Sequence, residues 1–176
     1  MIIGLSGYAR SGKDTVAKYL VENHGFVRVA FADTLRNILS ELNPILEDGH
    51  RLNEAVKMYG WDITKSKYDE VRRLLQVLGV AGRELIAEDV WIGAALKTPT
   101  NGAPVVISDV RFKNEADVIK KLGGSIWRVV RPDTAPVNSH VSEVQMNYYS
   151  FDELIMNDKD IRHLENEVLL RMPIRL

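Results

Sequence analysis

The chain has 176 residues of which 45% are hydrophobic, enough for one domain with its own core. A net charge of −1 and a pI near 6.4 exclude a general attraction to nucleic acid or anionic membranes, so any phosphate binding has to be local. The absence of cysteine excludes a disulfide framework and a thiolate metal site, and with no apolar run of membrane-spanning length and no leader-like N-terminus a cytoplasmic protein is expected.

In chain order, Ile2 to Ser6 reads as a short buried strand and Lys13 to Asn23 as a helix stopping near Gly25, with glycine-bearing residues between them. Phe26 to Phe31 is β-rich, and a helix follows from about Asp33, its Leu35, Ile38, Leu39 and Leu42 recurring at helical spacing as far as Pro44. Residues 45–103 hold no strand pattern; they read as a helical insertion that includes helices over Tyr68 to Gly79 and Arg83 to Leu96. Strands return at Val105 to Ser108, Ser125 to Val130 and Leu154 to Met156, with helices at Asn114 to Leu122 and Asp160 to Arg171. Apolar strands alternating with helices predict an α/β fold of three layers, a parallel sheet of about five strands with helices on both faces, in one domain with its ligands at the carboxyl ends of the strands.

Gly7-Tyr8-Ala9-Arg10-Ser11-Gly12-Lys13 fits G-x-x-x-x-G-K and lies between a strand and a helix N-terminus, where its mechanism needs it. Glycines let successive amides turn toward one point, and the helix dipole adds partial positive charge there, so the loop is expected to cradle a triphosphate. Lys13 then reaches the β- and γ-phosphates, with Arg10 and Ser11 beside them. The residue after the lysine is Asp14, with Thr15 next, where a hydroxyl usually meets Mg²⁺. Asp14 is open to four roles: holding the ion, holding its waters, acting as a base, or stabilising the first helical turn.

Along Tyr68 to Gly79, Val71, Leu74, Leu75 and Leu78 form one apolar stripe and leave Arg72, Arg73 and Gln76 on the other side. That face suits a phosphate clamp, arginine forks matching phosphate oxygens; it equally suits a solvated face with an Asp69–Arg73 ion pair. Asp109 and Arg111 follow an apolar strand directly, a position from which Arg111 neutralises charge on a transferring phosphoryl group and Asp109 holds Mg²⁺ or orients an arginine, the alternative being a structural salt bridge between the two. Trp91, Trp127, Tyr148 and Tyr149 are offered as base platforms, although single aromatics are more often core. His140, Ser142 and Glu143 have no metal-ligand spacing and read as a polar loop.

Ser6-Gly7 with Arg10 to Thr15, Phe31 to Arg36, Leu75-Gln76-x-x-Gly79, Asp89-x-Trp91, Asp109-Val110-Arg111-Phe112-x-Asn114-Glu115, Gly123-Gly124, Arg131-Pro132, His140-x-Ser142-Glu143 and Asn157-Asp158 together resemble the deoxynucleoside monophosphate kinases of bacteriophages. The likeness spans nearly the whole chain, and the lysine-aspartate loop is otherwise shared chiefly with animal-type phosphomevalonate kinases. It implies a P-loop nucleoside monophosphate kinase fold, ATP with Mg²⁺ as donor complex and a (deoxy)nucleoside monophosphate as acceptor. It also implies small-molecule partners without nucleic acid polymer or membrane, a homodimer as an option, and host cytoplasm as the setting for a phage protein. On the matching positions, Asp14 and Thr15 lie at the transfer centre and hold the metal. Asp33, Arg36, Arg72, Arg73, Gln76, Gly79, Val80, Trp91, Asp109, Arg111 and Glu115 bind the acceptor, which moves Trp91 from core to pocket. Val80 stands where a small polar residue would also fit. The competing readings are a kinase for another phosphorylated acceptor such as phosphomevalonate, and a nucleotide-hydrolysing switch; against the latter, there is no Asn-Lys-x-Asp guanine signature.

Overall fold

Strands whose consecutive residues are all apolar must be covered on both faces, and the sheet meets that demand. The computed structural model describes residues 1–98, 100–135 and 145–172. It contains five parallel strands: β1 (Ile2–Ser6), β2 (Val27–Val29), β3 (Val105–Ile107), β4 (Ser125–Val130) and β5 (Glu153–Met156), in the order β2-β3-β1-β4-β5. Central β1 pairs with β3 from Ile2↔Val105 and with β4 as far as Ser6↔Arg128. Two helices, α1 (Lys13–His24) and α7 (Ile161–Arg171), cover one face, setting Val16, Leu20, Leu164 and Val168 against Ile3, Leu5, Trp127 and Val129. Helix α6 (Lys113–Lys121) packs on β1 and β4, with Ile119 beside Gly4, whose position alternates with that of Ile3 and Leu5 and so marks the opposite face. The expected three layers are present.

The chain divides into two compact units: Met1–Ala30 with Thr98–Leu176, which carries the sheet, and Phe31–Lys97, which is helical. The second unit starts at Phe31, whereas the expected insertion starts at residue 45. Helix α2 (Phe31–Leu42) belongs to it because Leu39 enters a core with Leu46, Leu52, Ala55, Tyr68 and Val71. The strand expected to reach Phe31 stops at Val29, since Phe31 and Ala32 open that helix instead.

The helices that follow agree with the sequence reading in kind and differ from it in where the last two begin and end. Helix α3 (Leu52–Lys67) is kinked at Gly60, where φ is 74°. Helix α4 (Asp69–Leu85) runs past Gly79, and the single helix expected over Arg83 to Leu96 is broken, leaving α5 (Val90–Ala95). The reason lies in Trp91 of α5. Its indole Nε1 donates to the Gly79 carbonyl at 2.9 Å, and its ring fills the space a side chain at Gly82 would need. Gly82 makes room for the indole and leaves the helix intact. A Cβ on Gly82 would lie 2.1 Å from Trp91 Cζ2. Gly82→Ala is therefore expected to destabilise by about 1–2 kcal/mol, overpacking exceeding the gain in helix propensity. Thermal unfolding followed by circular dichroism should register a Tm lower by about 2–8 °C; an unchanged or higher Tm would mean that the indole moves aside freely.

Candidate active site

A loop can aim several amides at one point only if its backbone leaves the ordinary right-handed and extended regions, and residues 7–12 do this three times. Gly7 has φ 139°, Arg10 φ 63° and Gly12 φ 108°. Ser11 N–H donates to the Tyr8 carbonyl at 3.2 Å, closing the turn, and Gly12 precedes α1 with no side chain capping the helix. The first amides of α1 therefore have no intrahelical acceptor, the arrangement that suits an anion. Lys13 Nζ donates to the carbonyls of Gly7 at 2.8 Å and Tyr8 at 2.7 Å, so the ammonium lies over the loop's own chain. Asp14 and Thr15 stand exposed in the first turn.

The loop is held from the next strands. Asn157, just past β5, donates its Nδ2 to the Ser11 carbonyl at 2.8 Å while its backbone N–H bonds Val130. Ser11 is fully buried, and its hydroxyl has no hydrogen-bond partner among the described residues.

At the end of β3, Val110 N–H bonds the Leu5 carbonyl, which fixes the segment bearing half-buried Asp109 and exposed Arg111 at the same sheet edge as the loop. Glu115 is 2% exposed, and its Oε2 accepts the backbone N–H groups of Arg111 at 2.8 Å and Phe112 at 3.0 Å. Its carboxylate thus caps the N-terminus of α6 and sets the turn carrying Arg111. Beside the phosphate loop lies a small open pocket, lined by Ser6, Gly7, Tyr8, Arg111, Arg128 and Asn147 among others. Sequence reasoning passed over Tyr8, Arg128 and Asn147. The available signal was Arg128 itself, a charge inside an otherwise apolar strand.

In the helical unit, Asp33 pairs with Arg36 at 3.2 Å, and the Arg36 guanidinium stands 5.8 Å from the centroid of the Trp61 ring. Arg73 is engaged through Nε and Nη2 by both carboxylate oxygens of Glu70, at 2.6 and 2.7 Å, and not by Asp69. That bidentate contact holds the Glu70 carboxyl below its ordinary pKa and raises that of Arg73. Arg72, Gln76 and Val80 are half-buried. Gly79 offers its carbonyl to both Trp91 and Arg83, and Trp91, 4% exposed, is a core residue of this unit. His140, Ser142 and Glu143 lie outside the described residues.

The first unit thus brings Arg10, Lys13, Asp14, Thr15, Asp109 and Arg111 to one edge of the sheet, and the second places Asp33, Arg36, Arg72, Gln76 and Val80 on its helices. Among the described residues no helix is long and apolar enough to cross a membrane, and no group of three acidic, histidine or cysteine side chains is placed to hold a metal.

Comparison with known proteins adds a second line of evidence. Residues 47–168 match the family model described as deoxynucleotide monophosphate kinase. A protein of Acanthamoeba polyphaga mimivirus, named as a candidate deoxynucleotide monophosphate kinase, is 31% identical over 96% of this chain and 94% of its own length. A cytidylate kinase of Methanocella arvoryzae is 36% identical over 56% of this chain and 57% of its own. Among solved structures, dephospho-CoA kinase from Campylobacter jejuni aligns with TM-score 0.47 at 11% identity, covering 96% of this chain and 94% of that one. With a family match over most of its length and a full-length viral relative, the chain belongs to the deoxynucleotide monophosphate kinase family.

Proposed function

We propose that the protein transfers the terminal phosphoryl group of ATP to a deoxynucleoside monophosphate, giving the diphosphate. The observation that carries this reading is the loop Gly7–Gly12 with its three left-handed residues, ending on an uncapped helix, with Arg111 at the same sheet edge. Membership of the deoxynucleotide monophosphate kinase family supports the choice of acceptor class.

In this reading the amides of residues 7–15 and the side chains of Arg10 and Lys13 hold the donor phosphates. Lys13 exchanges the carbonyls of Gly7 and Tyr8 for phosphate oxygens. Arg111 neutralises charge on the group in transit, and Asp109 orients it. Glu115 acts on the acceptor side through the turn it caps. On the helical unit, Gln76 and Arg72 of α4 take the acceptor's base and phosphate, Asp33 and Arg36 contribute at the start of α2, and Arg73, Gly79, Val80 and Trp91 shape the surroundings of these residues within that unit. Chemistry of this kind is mostly positioning, since an in-line transfer needs aligned reactants and charge compensation.

Asp14 and Thr15 fit Mg²⁺, being exposed oxygen donors in the first turn of α1. A small hard cation bound by one or two protein oxygens draws its other ligands from phosphates and water. When bound, the ion neutralises phosphate charge.

A coupled ADP-release assay tests the proposal across the four deoxynucleoside monophosphates, their ribonucleotide counterparts, phosphomevalonate and a blank without acceptor. ADP release is expected with one or more deoxynucleoside monophosphates and to remain at background in the blank. Turnover with phosphomevalonate alone, or equal hydrolysis in the blank, would replace this reading by one of its competitors.

A further inference from the structure

A charged residue within a buried strand needs an explanation, and Arg128 is such a residue. Its neighbours in β4, Ile126, Trp127 and Val129, are all buried, and Arg128 is itself half-buried. The guanidinium lies between two aromatic rings, 5.2 Å from the centroid of Tyr8 and 5.1 Å from that of Phe151. Nη1 donates to the Met146 carbonyl at 3.1 Å. Nη2 stands 3.4 Å from Asn147 Oδ1, the oxygen that also accepts the Tyr8 hydroxyl at 2.7 Å. Among the described residues no carboxylate pairs with Arg128, and its Nε has no partner. The ring faces compensate part of the charge, yet a partly desolvated cation without a counter-ion is a costly feature for a fold to keep.

Its location gives the cost a use. Arg128 lines the pocket that Arg111 also lines, and in register it stands opposite Ser6, the last strand residue before the phosphate loop. Two guanidiniums on one small pocket, next to the amides of the loop, match a phosphate dianion, and the surrounding rings hold Arg128 in place before anything binds. We infer that Arg128 is a second phosphate-binding residue for the acceptor, acting with Arg111 on the monophosphate group. The inference rests on the kinase reading and adds a residue to it. The contacts to Asn147 and Met146 also make these two residues a wall of this subsite.

The test compares wild type with Arg128→Gln and Arg128→Lys. The ligands are ATP, the deoxynucleoside monophosphate that wild type phosphorylates fastest, and the parent deoxynucleoside. In Arg128→Gln, KM and Kd for the monophosphate are expected to rise about 10- to 100-fold, the worth of a charge-assisted contact. The KM for ATP should move less than about twofold, the affinity for the deoxynucleoside should not change, and Arg128→Lys should recover part of the loss. Unchanged monophosphate affinity, or a loss confined to ATP, would overturn the inference. Should Arg128→Gln fail to fold, Arg128→Lys decides alone: weaker binding of the monophosphate with ATP unaffected supports the assignment, and wild-type affinity for both refutes it. If wild type takes no nucleoside monophosphate, the kinase reading fails separately. Titration with inorganic phosphate then tests the pocket, binding that is lost in Arg128→Gln supporting a phosphate subsite and binding that persists or is never seen removing it.

Discussion

Replacing Lys13 by alanine is expected to lower kcat by about 10³-fold or more, the scale on which loss of one preorganised cationic donor is felt at a phosphoryl in transit. The fold should survive. Lys13 donates to the loop carbonyls of Gly7 and Tyr8, both partly exposed, and water can take its place on each. Far-UV circular dichroism indistinguishable from wild type, together with ADP release at the level of the blank, would satisfy the expectation. Turnover close to wild type would remove Lys13 from the donor site and with it the proposed role of the loop. Lys13→Arg is a useful companion, because a planar fork does not reproduce a compact ammonium pointing into a tight loop.

Gly7→Ala is expected to act differently, reducing stability and activity together. A Cβ at this position would lie 2.4 Å from the Val129 carbonyl oxygen and 2.8 Å from Ser11 Oγ, and φ is already 139°. The first obstacle is backbone of the central sheet, which cannot rotate aside as a side chain can. Strain at φ and the steric conflict together should cost about 2–4 kcal/mol, a fall in Tm of roughly 5–15 °C. The displaced loop would also bind ATP poorly, so KM for ATP should rise. A Gly7→Ala protein with wild-type Tm and KM would show that the loop relaxes at no cost. That outcome would contradict the close packing of Gly7 on β4.

The contrast between these variants reflects how much of the site is written in short stretches of sequence. The phosphate loop was legible because its glycines, lysine and flanking strand and helix occupy one continuous segment, and the apolar strands were legible for the same reason. Errors arose where a distant residue decides. Gly79 reads as a helix end, but Gly79 and Gly82 answer to Trp91 in the following helix. The Asp69–Arg73 pairing was equally reasonable on a helix, since neighbours three and four apart share a face; the side-chain rotamers selected Glu70. Glu115 was expected to bind the acceptor from the resemblance, and its burial and its two bonds to backbone amides were invisible until the turn at Arg111 had a shape. Arg128 was passed over although it is a charge in an apolar strand, and its partners Tyr8, Met146 and Asn147 are far from it in sequence, so no local pattern could name them.

The distribution of tryptophan gives the molecule built-in optical labels. Trp127 is buried in the core beneath the sheet, whereas Trp91 is wedged against α4 and Trp61 packs beside the core of the helical unit. Emission from a protein keeping Trp127 alone therefore reports melting of the sheet-bearing half, and one keeping Trp91 alone reports the helical half. Whether the two halves melt at one temperature or at two thus becomes readable from fluorescence with no dye attached.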